Sequence, residues 1–224
     1  MTSARELKFE ATRSAGEVSA LLLRPDDARR LLVLGHGAGA GMRHHFMEDA
    51  ARALAARGIA TFRYQFPYAE QGSRRIDPQP VLLATVRSAV ASARAEAGEL
   101  PLLAGGKSMG GRMTSLAWAK EPLDGARGIV FFGFPLHNAG KPATARGEHL
   151  SSVSAPMLFL QGTRDKLAGL ELLRPVIDRV GPRATLHVVE GADHSFDVLK
   201  RSGRTSADVL EELAESVAAW AERL

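Results

Sequence analysis

Cysteine is absent from the 224-residue sequence. Its absence excludes a disulfide framework, a thiolate metal site and a cysteine nucleophile, while it leaves the redox compartment open. The chain also lacks an apolar run long enough to span a bilayer, and residues 1–8 lack the apolar core of a signal peptide. We therefore expect a cytoplasmic protein that has no membrane partner.

The sequence has little net charge for its length. Its 29 basic residues are offset by 25 acidic residues, and both signs are spread along the chain. Because a nucleic-acid-binding protein concentrates its basic residues on one face or in one tract, we expect no nucleic-acid partner. The hydrophobic content of 45% is ordinary for a globular protein, and the length predicts one domain over residues 1–224.

Short apolar strands alternate with helical patterns along the chain. Residues 6–12 and 18–23 have the pattern of an antiparallel hairpin. Further strands are predicted at residues 29–35, 59–66, 100–104, 128–134, 157–161 and 184–189. Helices are predicted between and after them at residues 48–57, 77–97, 109–120, 170–180 and 207–223. This order predicts an α/β fold with a mostly parallel, doubly wound sheet that follows a leading antiparallel hairpin.

Two connections of this fold bear on function. Residues 67–75 are predicted to form a loop, and Asp77-Pro78 is predicted to cap and open the helix that follows it. Residues 135–154 are polar and rich in turn formers, and the segment is too short for an added cap domain.

The segment Gly105-Gly106-Lys107-Ser108-Met109-Gly110-Gly111 lies between a buried strand and a helix. A serine on such a sharp turn projects its hydroxyl from the top of a sheet, and flanking glycines give the backbone the room it needs. This pattern predicts a nucleophile elbow with Ser108 as the nucleophile. The alternatives are a phosphate-binding loop or a plain turn, and the spacing does not match a Walker motif.

A serine hydroxyl needs an imidazole to remove its proton and a carboxylate to orient that imidazole. Asp165 and His194 each follow a predicted strand, at the sheet edge where functional loops gather, and the order Ser108, Asp165, His194 is typical of this elbow type. Asp193 is the rival carboxylate. The alternative role for Asp165 is to cap the helix that follows it. The alternative for His194 is a histidine in a surface loop.

The glycine-rich run 35–41 follows another buried strand. It lacks a third glycine at the spacing that a dinucleotide-binding loop requires. His-Gly after a strand instead matches the oxyanion loop of serine hydrolases. We expect the backbone N–H groups of Met109 and of Ala38 or Gly39 to form the oxyanion hole. The alternative is a turn without a role. We expect His36 to support this loop, and His44 and His45 to be a solvated helix start rather than metal ligands.

These motifs resemble those of the alpha/beta-hydrolase superfamily, within it the dienelactone-hydrolase-like group. The motifs that carry the likeness are Gly35-His36-Gly37-Ala38-Gly39, Gly106-Lys107-Ser108-Met109-Gly110, Gln161-Gly162-Thr163-Arg164-Asp165 and Asp193-His194-Ser195. The resemblance implies an alpha/beta-hydrolase fold without a cap domain and hydrolase activity without a cofactor or metal. Dienelactone hydrolases proper have a cysteine where this chain has Ser108, so their substrate is not implied.

A narrower resemblance is to the subfamily that includes the testis-expressed hydrolase-like protein and a subunit of the NSL histone acetyltransferase complex. It is carried by Phe66-Pro67-Tyr68, Gly72, Arg74-Arg75, Asp77-Pro78, Pro135-Leu136-His137 and Gly140-Lys141-Pro142. The chain departs from that pattern at Lys107, where the subfamily tends to have arginine, and at Asn138-Ala139, where it tends to have two prolines.

The sequence thus predicts a serine hydrolase of the carboxylesterase type acting on a small ester, thioester or similar acyl bond. The alternatives are a non-catalytic interaction module and an acyltransferase. Arg74 and Arg75, in the loop after one strand, are predicted to bind an anionic group of a small acyl substrate, with His137 bordering the pocket. The alternative for both arginines is a solvated surface position.

Overall fold

The computed structural model describes residues 3–224 and is built on one sheet of eight strands. The sheet order is β1-β2-β4-β3-β5-β6-β7-β8. The strands are β1 Arg5–Thr12, β2 Gly16–Leu23, β3 Arg30–Gly35, β4 Ile59–Tyr64, β5 Leu102–Lys107, β6 Ala126–Phe132, β7 Met157–Gly162 and β8 Ala184–Val189. β1 and β2 form an antiparallel hairpin and β2 pairs antiparallel with β4, whereas the other pairs are parallel. The predicted fold class is confirmed.

Helices cover both faces of this sheet. They are α1 His45–Ala55, α2 Pro67–Glu70, α3 Gln79–Ala97, α4 Met109–Lys120, α5 Leu170–Val180 and α6 Ser206–Ala221, with 3-10 segments at Ala145–Ser152, Gly181–Arg183 and Lys200–Ser202. Helices α3, α4 and α5 bury side chains in the larger core, and α1 and α6 bury theirs in the other. Successive strand residues point to opposite faces, so Val33 packs in the larger core while Leu32 and Leu34 pack in the smaller one. The buried strands therefore carry apolar residues at nearly every position.

The connection after β4 differs from the loop predicted at residues 67–75. Its first residues form the helical turn α2, which begins at Pro67, a residue whose fixed φ suits the first turn of a helix. The following helix begins at Gln79 rather than at Asp77, with Pro78 as its N-terminal cap. Asp77 does not cap that helix, because its carboxylate instead accepts a hydrogen bond of 2.8 Å from the backbone N–H of Tyr68. This bond ties α2 to the start of α3.

The segment 135–154 lies against the helix that follows the elbow. It contains the 3-10 segment Ala145–Ser152, in which Leu150 is fully buried in the larger core. Trp118 of α4 donates its indole N–H to the hydroxyl of Ser154 over 3.0 Å. The second contact places the end of the segment beside the carboxyl-terminal half of α4. No helix in the described part of the chain is long and apolar enough to cross a membrane.

Candidate active site

Ser108 lies between the last residue of β5 and the first residue of α4. Its φ of 49° falls in the left-handed region that non-glycine residues rarely occupy. Gly106 and Gly110 flank it, and a Cβ on either glycine would collide with the carbonyl oxygen of Gly35 on β3. The backbone N–H of Ser108 donates to the carbonyl oxygen of Phe132 over 3.1 Å. The close approach of three backbone segments thus requires glycine on both sides of Ser108 and holds the strained turn at the carboxyl edge of the sheet.

His194 lies within hydrogen-bond distance of both Ser108 and Asp165. Its Nε2 is 2.8 Å from Ser108 Oγ and its Nδ1 is 2.6 Å from Asp165 Oδ2. Because a carboxylate only accepts hydrogen bonds, Nδ1 carries the proton and donates to Asp165, which leaves Nε2 free to accept from the serine hydroxyl. The structure therefore brings the three residues together in one hydrogen-bonded row. Burial increases along it toward the carboxylate, since the His194 side chain is 21% exposed and that of Asp165 is 0% exposed.

The carboxylate of Asp165 is fixed by groups on its own loop and strand. Oδ1 accepts from the backbone N–H of Leu167 over 2.7 Å, and Oδ2 also accepts from the amide of Gln161. The helix-cap alternative does not hold, because α5 begins after Gly169. Asp193 Oδ1 accepts from the backbone N–H groups of Ser195 and Asp197, so the rival carboxylate shapes the loop of His194 rather than contacting its ring.

Lys107, which the sequence did not single out for a role, lies directly behind His194. Its Nζ donates to the carbonyl oxygen of His194 over 2.5 Å and lies 5.6 Å and 5.4 Å from the ring centroids of Phe46 and Phe196. Burial lowers the pKa of this amine to about 8, although the carboxylates of Asp165 and Asp193 act in the opposite direction. The buried amine joins the elbow strand to the histidine loop.

The glycine-rich loop after β3 lies beside Ser108, where the sequence placed the oxyanion hole. The N–H of Gly39 donates to the hydroxyl of Tyr68 over 3.2 Å. The N–H of Ala38 makes no hydrogen bond with another residue of the range 3–224. Gly39 is thus already engaged, and Ala38 is the residue of the pair whose N–H is available alongside that of Met109 at the start of α4.

His36 links this loop to the segment after β4 through two hydrogen bonds. Its Nε2 accepts from the backbone N–H of Phe66 over 3.2 Å, so Nδ1 carries the proton that is donated to the carbonyl oxygen of Gly37 over 2.8 Å. Burial lowers the pKa of His36 to about 4 and keeps the ring neutral near pH 7. The predicted supporting role of His36 matches these contacts.

Two cavities meet at Ser108. The first, which we call the histidine-side cavity, measures about 370 Å³ and is lined by Gly37, Ala38, Ala40, His44, His45, Phe46, Met47, Lys107, Ser108, Leu167, His194, Ser195 and Asp197. The second, the arginine-side cavity, measures about 550 Å³ and is lined by Ala38, Ile76, Asp77, Gln79, Leu82, Ser108, Met109, Arg112, Met113, Pro135, Asn138, Arg146 and Leu167. Ser108, Ala38 and Leu167 belong to both.

The residues predicted to bind substrate do not line these cavities. Arg74 and Arg75 are exposed in the turn after α2, and His137 is buried with its Nδ1 2.9 Å from the carbonyl oxygen of Asn138. β4 neighbours β3 in the sheet, but that order does not decide where a flexible arginine side chain ends. The guanidinium groups that line the arginine-side cavity are those of Arg112 and Arg146. The position of Arg112, one helical turn after Ser108, could have indicated from the sequence that it lies near the site. No feature of the sequence indicates this for Arg146.

A model of the alpha/beta hydrolase domain matches residues 28–222 of this chain. The chain belongs to the alpha/beta-hydrolase family. Solved structures agree with this hydrolase fold at low sequence identity. Dienelactone hydrolase from Anabaena variabilis is 18% identical with a TM-score of 0.75, and the alignment covers 97% of each chain. A serine hydrolase without lid from Xanthomonas campestris is 20% identical with a TM-score of 0.74, over 98% of this chain and 96% of that one.

Two curated relatives of this alpha/beta-hydrolase family member are longer proteins. Two strains of Mycobacterium tuberculosis each have a protein provisionally named a phosphoribosyl transferase, 27% identical over 207 residues. The match covers 91% of this chain and 43% of each relative, so the chain spans less than half the length of the curated relatives it matches.

Proposed function

We propose that this alpha/beta hydrolase is a serine hydrolase of the carboxylesterase type that cleaves a small ester, thioester or similar acyl bond. One observation carries the proposal: Ser108, on a strained elbow, begins a hydrogen-bonded row through His194 to a fully buried Asp165. Such a row converts a weakly nucleophilic hydroxyl into one that attacks a carbonyl carbon. The two cavities give the acyl part and the leaving group separate places on either side of Ser108.

The reaction proposed for this site has two halves. As Ser108 Oγ forms a bond to the carbonyl carbon, its proton passes to His194 Nε2, and Asp165 stabilises the imidazolium. The N–H groups of Met109 and Ala38 stabilise the oxyanion. The bond to the leaving oxygen or sulfur then breaks, and that atom takes the proton from His194. Water next gives a proton to Nε2 and attacks the acyl carbon, which releases the acid and restores the Ser108 hydroxyl.

Two other readings of the fold are an acyltransferase and a non-catalytic interaction module. An acyltransferase differs only in the group that removes the acyl chain from Ser108, so the same row would serve it. A non-catalytic interaction module has no need for a strained serine hydrogen-bonded to an oriented histidine. The transferase name of the relatives belongs to proteins more than twice as long as the matched region, and the match does not say which part of them carries the named activity.

Membership of the subfamily with the testis-expressed hydrolase-like protein is likewise a proposal. Its support is the use of Phe66-Pro67-Tyr68 in the structure. The backbone N–H of Phe66 donates to His36, and the hydroxyl of Tyr68 accepts from Gly39. The motif therefore holds the oxyanion loop, which gives it a reason to occur in a hydrolase of this kind.

The proposal is tested by replacing the nucleophile. Ser108→Ala should lower kcat for short 4-nitrophenyl esters by roughly 10⁴-fold or more, since the acyl-enzyme can no longer form. The matched control is Ser216→Ala on α6, whose hydroxyl donates to the carbonyl oxygen of Glu212 away from the site. A folded Ser108→Ala protein that hydrolyses these esters at the wild-type rate contradicts the proposal.

A further inference from the structure

The arginine-side cavity contains two positive side chains at the edge of the proposed nucleophile. Arg112 lies one turn along α4 from Ser108, and its backbone N–H donates to the carbonyl oxygen of Ser108 over 3.1 Å. Residues four apart share a helix face, so the Arg112 side chain lines the same cavity as the serine. Arg146 reaches the cavity from the 3-10 segment and donates to the side-chain oxygen of Asn138 over 2.6 Å.

No carboxylate in the described part of the chain neutralises these two guanidinium groups. Within residues 3–224, neither Arg112 nor Arg146 forms an ion pair. The buried Nε of Arg112 has no hydrogen-bond partner in the same range. Burial and the nearby charge of Arg146 both lower the pKa of Arg112. Because neither guanidinium is paired with a carboxylate in this range, the parts of both groups that line the cavity can pair with the acceptor oxygens of an anionic ligand.

One carboxylate also lines this cavity. Asp77 accepts a hydrogen bond from the backbone N–H of Tyr68, and it forms no ion pair with either arginine in the described residues. The lining therefore carries two positive charges against one negative charge. A planar, forked guanidinium pairs with a carboxylate through two parallel hydrogen bonds, so the excess positive charge selects an anionic group.

The proposed chemistry decides which part of the substrate enters this cavity. His194 must give its proton to the leaving atom, so the leaving group lies on the side of Ser108 that His194 lines. The arginine-side cavity does not include His194 among its lining residues. The acyl chain is therefore the part of the substrate that extends toward Arg112 and Arg146.

We propose that the substrate is a short half-ester or half-thioester of a dicarboxylic acid, whose free carboxylate is bound by Arg112 and Arg146. This inference rests on the proposed acyl-hydrolase function and adds to it the chemical class of the acyl group. It assigns carboxylate binding to two arginines that line the cavity of Ser108, rather than to Arg74 and Arg75, which are exposed.

Two ethyl esters of matched shape test this substrate class. Monoethyl glutarate carries the carboxylate, and ethyl 5-methylhexanoate replaces it with an isopropyl group of similar size. The released ethanol is measured for wild type, Arg112→Gln and Arg146→Gln. The control is Arg127→Gln, an exposed arginine at the opposite end of β6 from the site. Wild type should prefer the anionic ester in kcat/KM, and each cavity variant should lower the ratio of the two values by about tenfold or more.

A ratio that stays within about twofold of the wild-type value in both cavity variants overturns the inference. Calorimetric binding of glutarate to Ser108→Ala, with and without Arg112→Gln or Arg146→Gln, provides a second readout that needs no turnover. If wild type cleaves neither ester nor short 4-nitrophenyl esters, the proposed function fails, and glutarate binding still decides the carboxylate site. Glutarate affinity weakened by the arginine variants supports that site, and equal affinity overturns it. Should Arg112→Gln fail to fold, Arg146→Gln on the 3-10 segment carries both measurements.

Discussion

The two cavities that meet at Ser108 differ in how their polar groups are satisfied. On the histidine side, Nδ1 of His194 is 2.6 Å from Asp165, and its backbone carbonyl oxygen accepts from Lys107. On the arginine side, the buried Nε of Arg112 has no partner among residues 3–224. Groups that already have protein partners are oriented before any ligand arrives, which suits proton transfer. A guanidinium that lines a cavity without a carboxylate partner can pair with the carboxylate of a ligand, which suits binding.

The difference follows from the elements that supply the two sides. The hydrogen-bonded row of Ser108, His194 and Asp165 comes from short loops after β5, β7 and β8, which the parallel sheet aligns at one edge. The arginines come from the helix α4 and from a 3-10 segment in a long connection. The backbone thus fixes the positions of the groups on the histidine side, whereas long, flexible side chains supply the groups on the arginine side. Variants on the two sides should therefore affect different kinetic parameters.

The largest expected effect is on the histidine side, in Asp165→Asn. The amide changes the hydrogen bond at Nδ1 and favours the wrong tautomer of His194, so kcat should fall by roughly 10⁴-fold. Asp193→Asn is the matched control, because its side-chain oxygen can still accept from the N–H groups of Ser195 and Asp197. We expect that control to lose less than about tenfold in kcat. Steady-state kinetics on a 4-nitrophenyl ester decide between the carboxylates, and reversed penalties would assign the orienting role to Asp193.

A smaller effect on the same side concerns the buried amine of Lys107. Its pKa is lowered to about 8 by burial, against 10.5 when unperturbed. Between these two pH values the unfolded chain holds a proton that the folded protein has lost, so the free energy of unfolding rises with pH. Lys107→Met removes this contribution while retaining an apolar side chain between Phe46 and Phe196.

Urea unfolding of wild type and Lys107→Met at several pH values from 7 to 10 measures this contribution. Below about pH 8 both states hold the proton, and the difference in unfolding free energy between the two proteins should stay constant. Above that pH, wild type should gain roughly 1 kcal/mol per pH unit relative to the variant. A difference that is independent of pH over the whole range would show that Lys107 is not desolvated in the folded protein.

The smallest expected effect belongs to the exposed arginines. Arg74→Ala and Arg75→Ala should each change kcat/KM for monoethyl glutarate by less than about twofold, because solvent screens charges that lie outside the cavity. Arg146→Ala, measured beside them, supplies the comparison with an arginine that lines the cavity. A tenfold rise in KM in either exposed variant would move carboxylate binding to the turn after α2.

Backbone-determined features of this protein are the ones that the sequence predicts well. The fold class is confirmed, and Ser108, Asp165 and His194 lie together because each follows a strand of the same parallel sheet. Glycine spacing also predicts the elbow, since Gly106 and Gly110 are required wherever backbone segments approach this closely. In each case a local pattern is linked to a geometry that the chain can adopt in few ways.

Features that depend on long side chains are not predictable in the same way. The turn with Arg74 and Arg75 follows β4, the neighbour of the strand that leads to the glycine-rich loop, yet both arginines are exposed. Arg146 enters the cavity because the segment 135–154 packs against α4, a tertiary contact with no periodic signal in the sequence. The predicted start of α3 at Asp77 is wrong for a related reason. Asp77 accepts a hydrogen bond from the backbone of α2 instead of capping the helix.

Covalent labelling of the nucleophile tests the central claim most directly. Wild type is treated with a fluorophosphonate, which reacts with activated serine nucleophiles, and the modified peptide is mapped by mass spectrometry. Modification should occur at Ser108, should be lost in Ser108→Ala, and should fall steeply in Asp165→Asn, where His194 is no longer oriented. A folded wild-type protein that remains unlabelled, or that is labelled at Ser195 beside His194 instead, would contradict the assignment of Ser108 as the nucleophile.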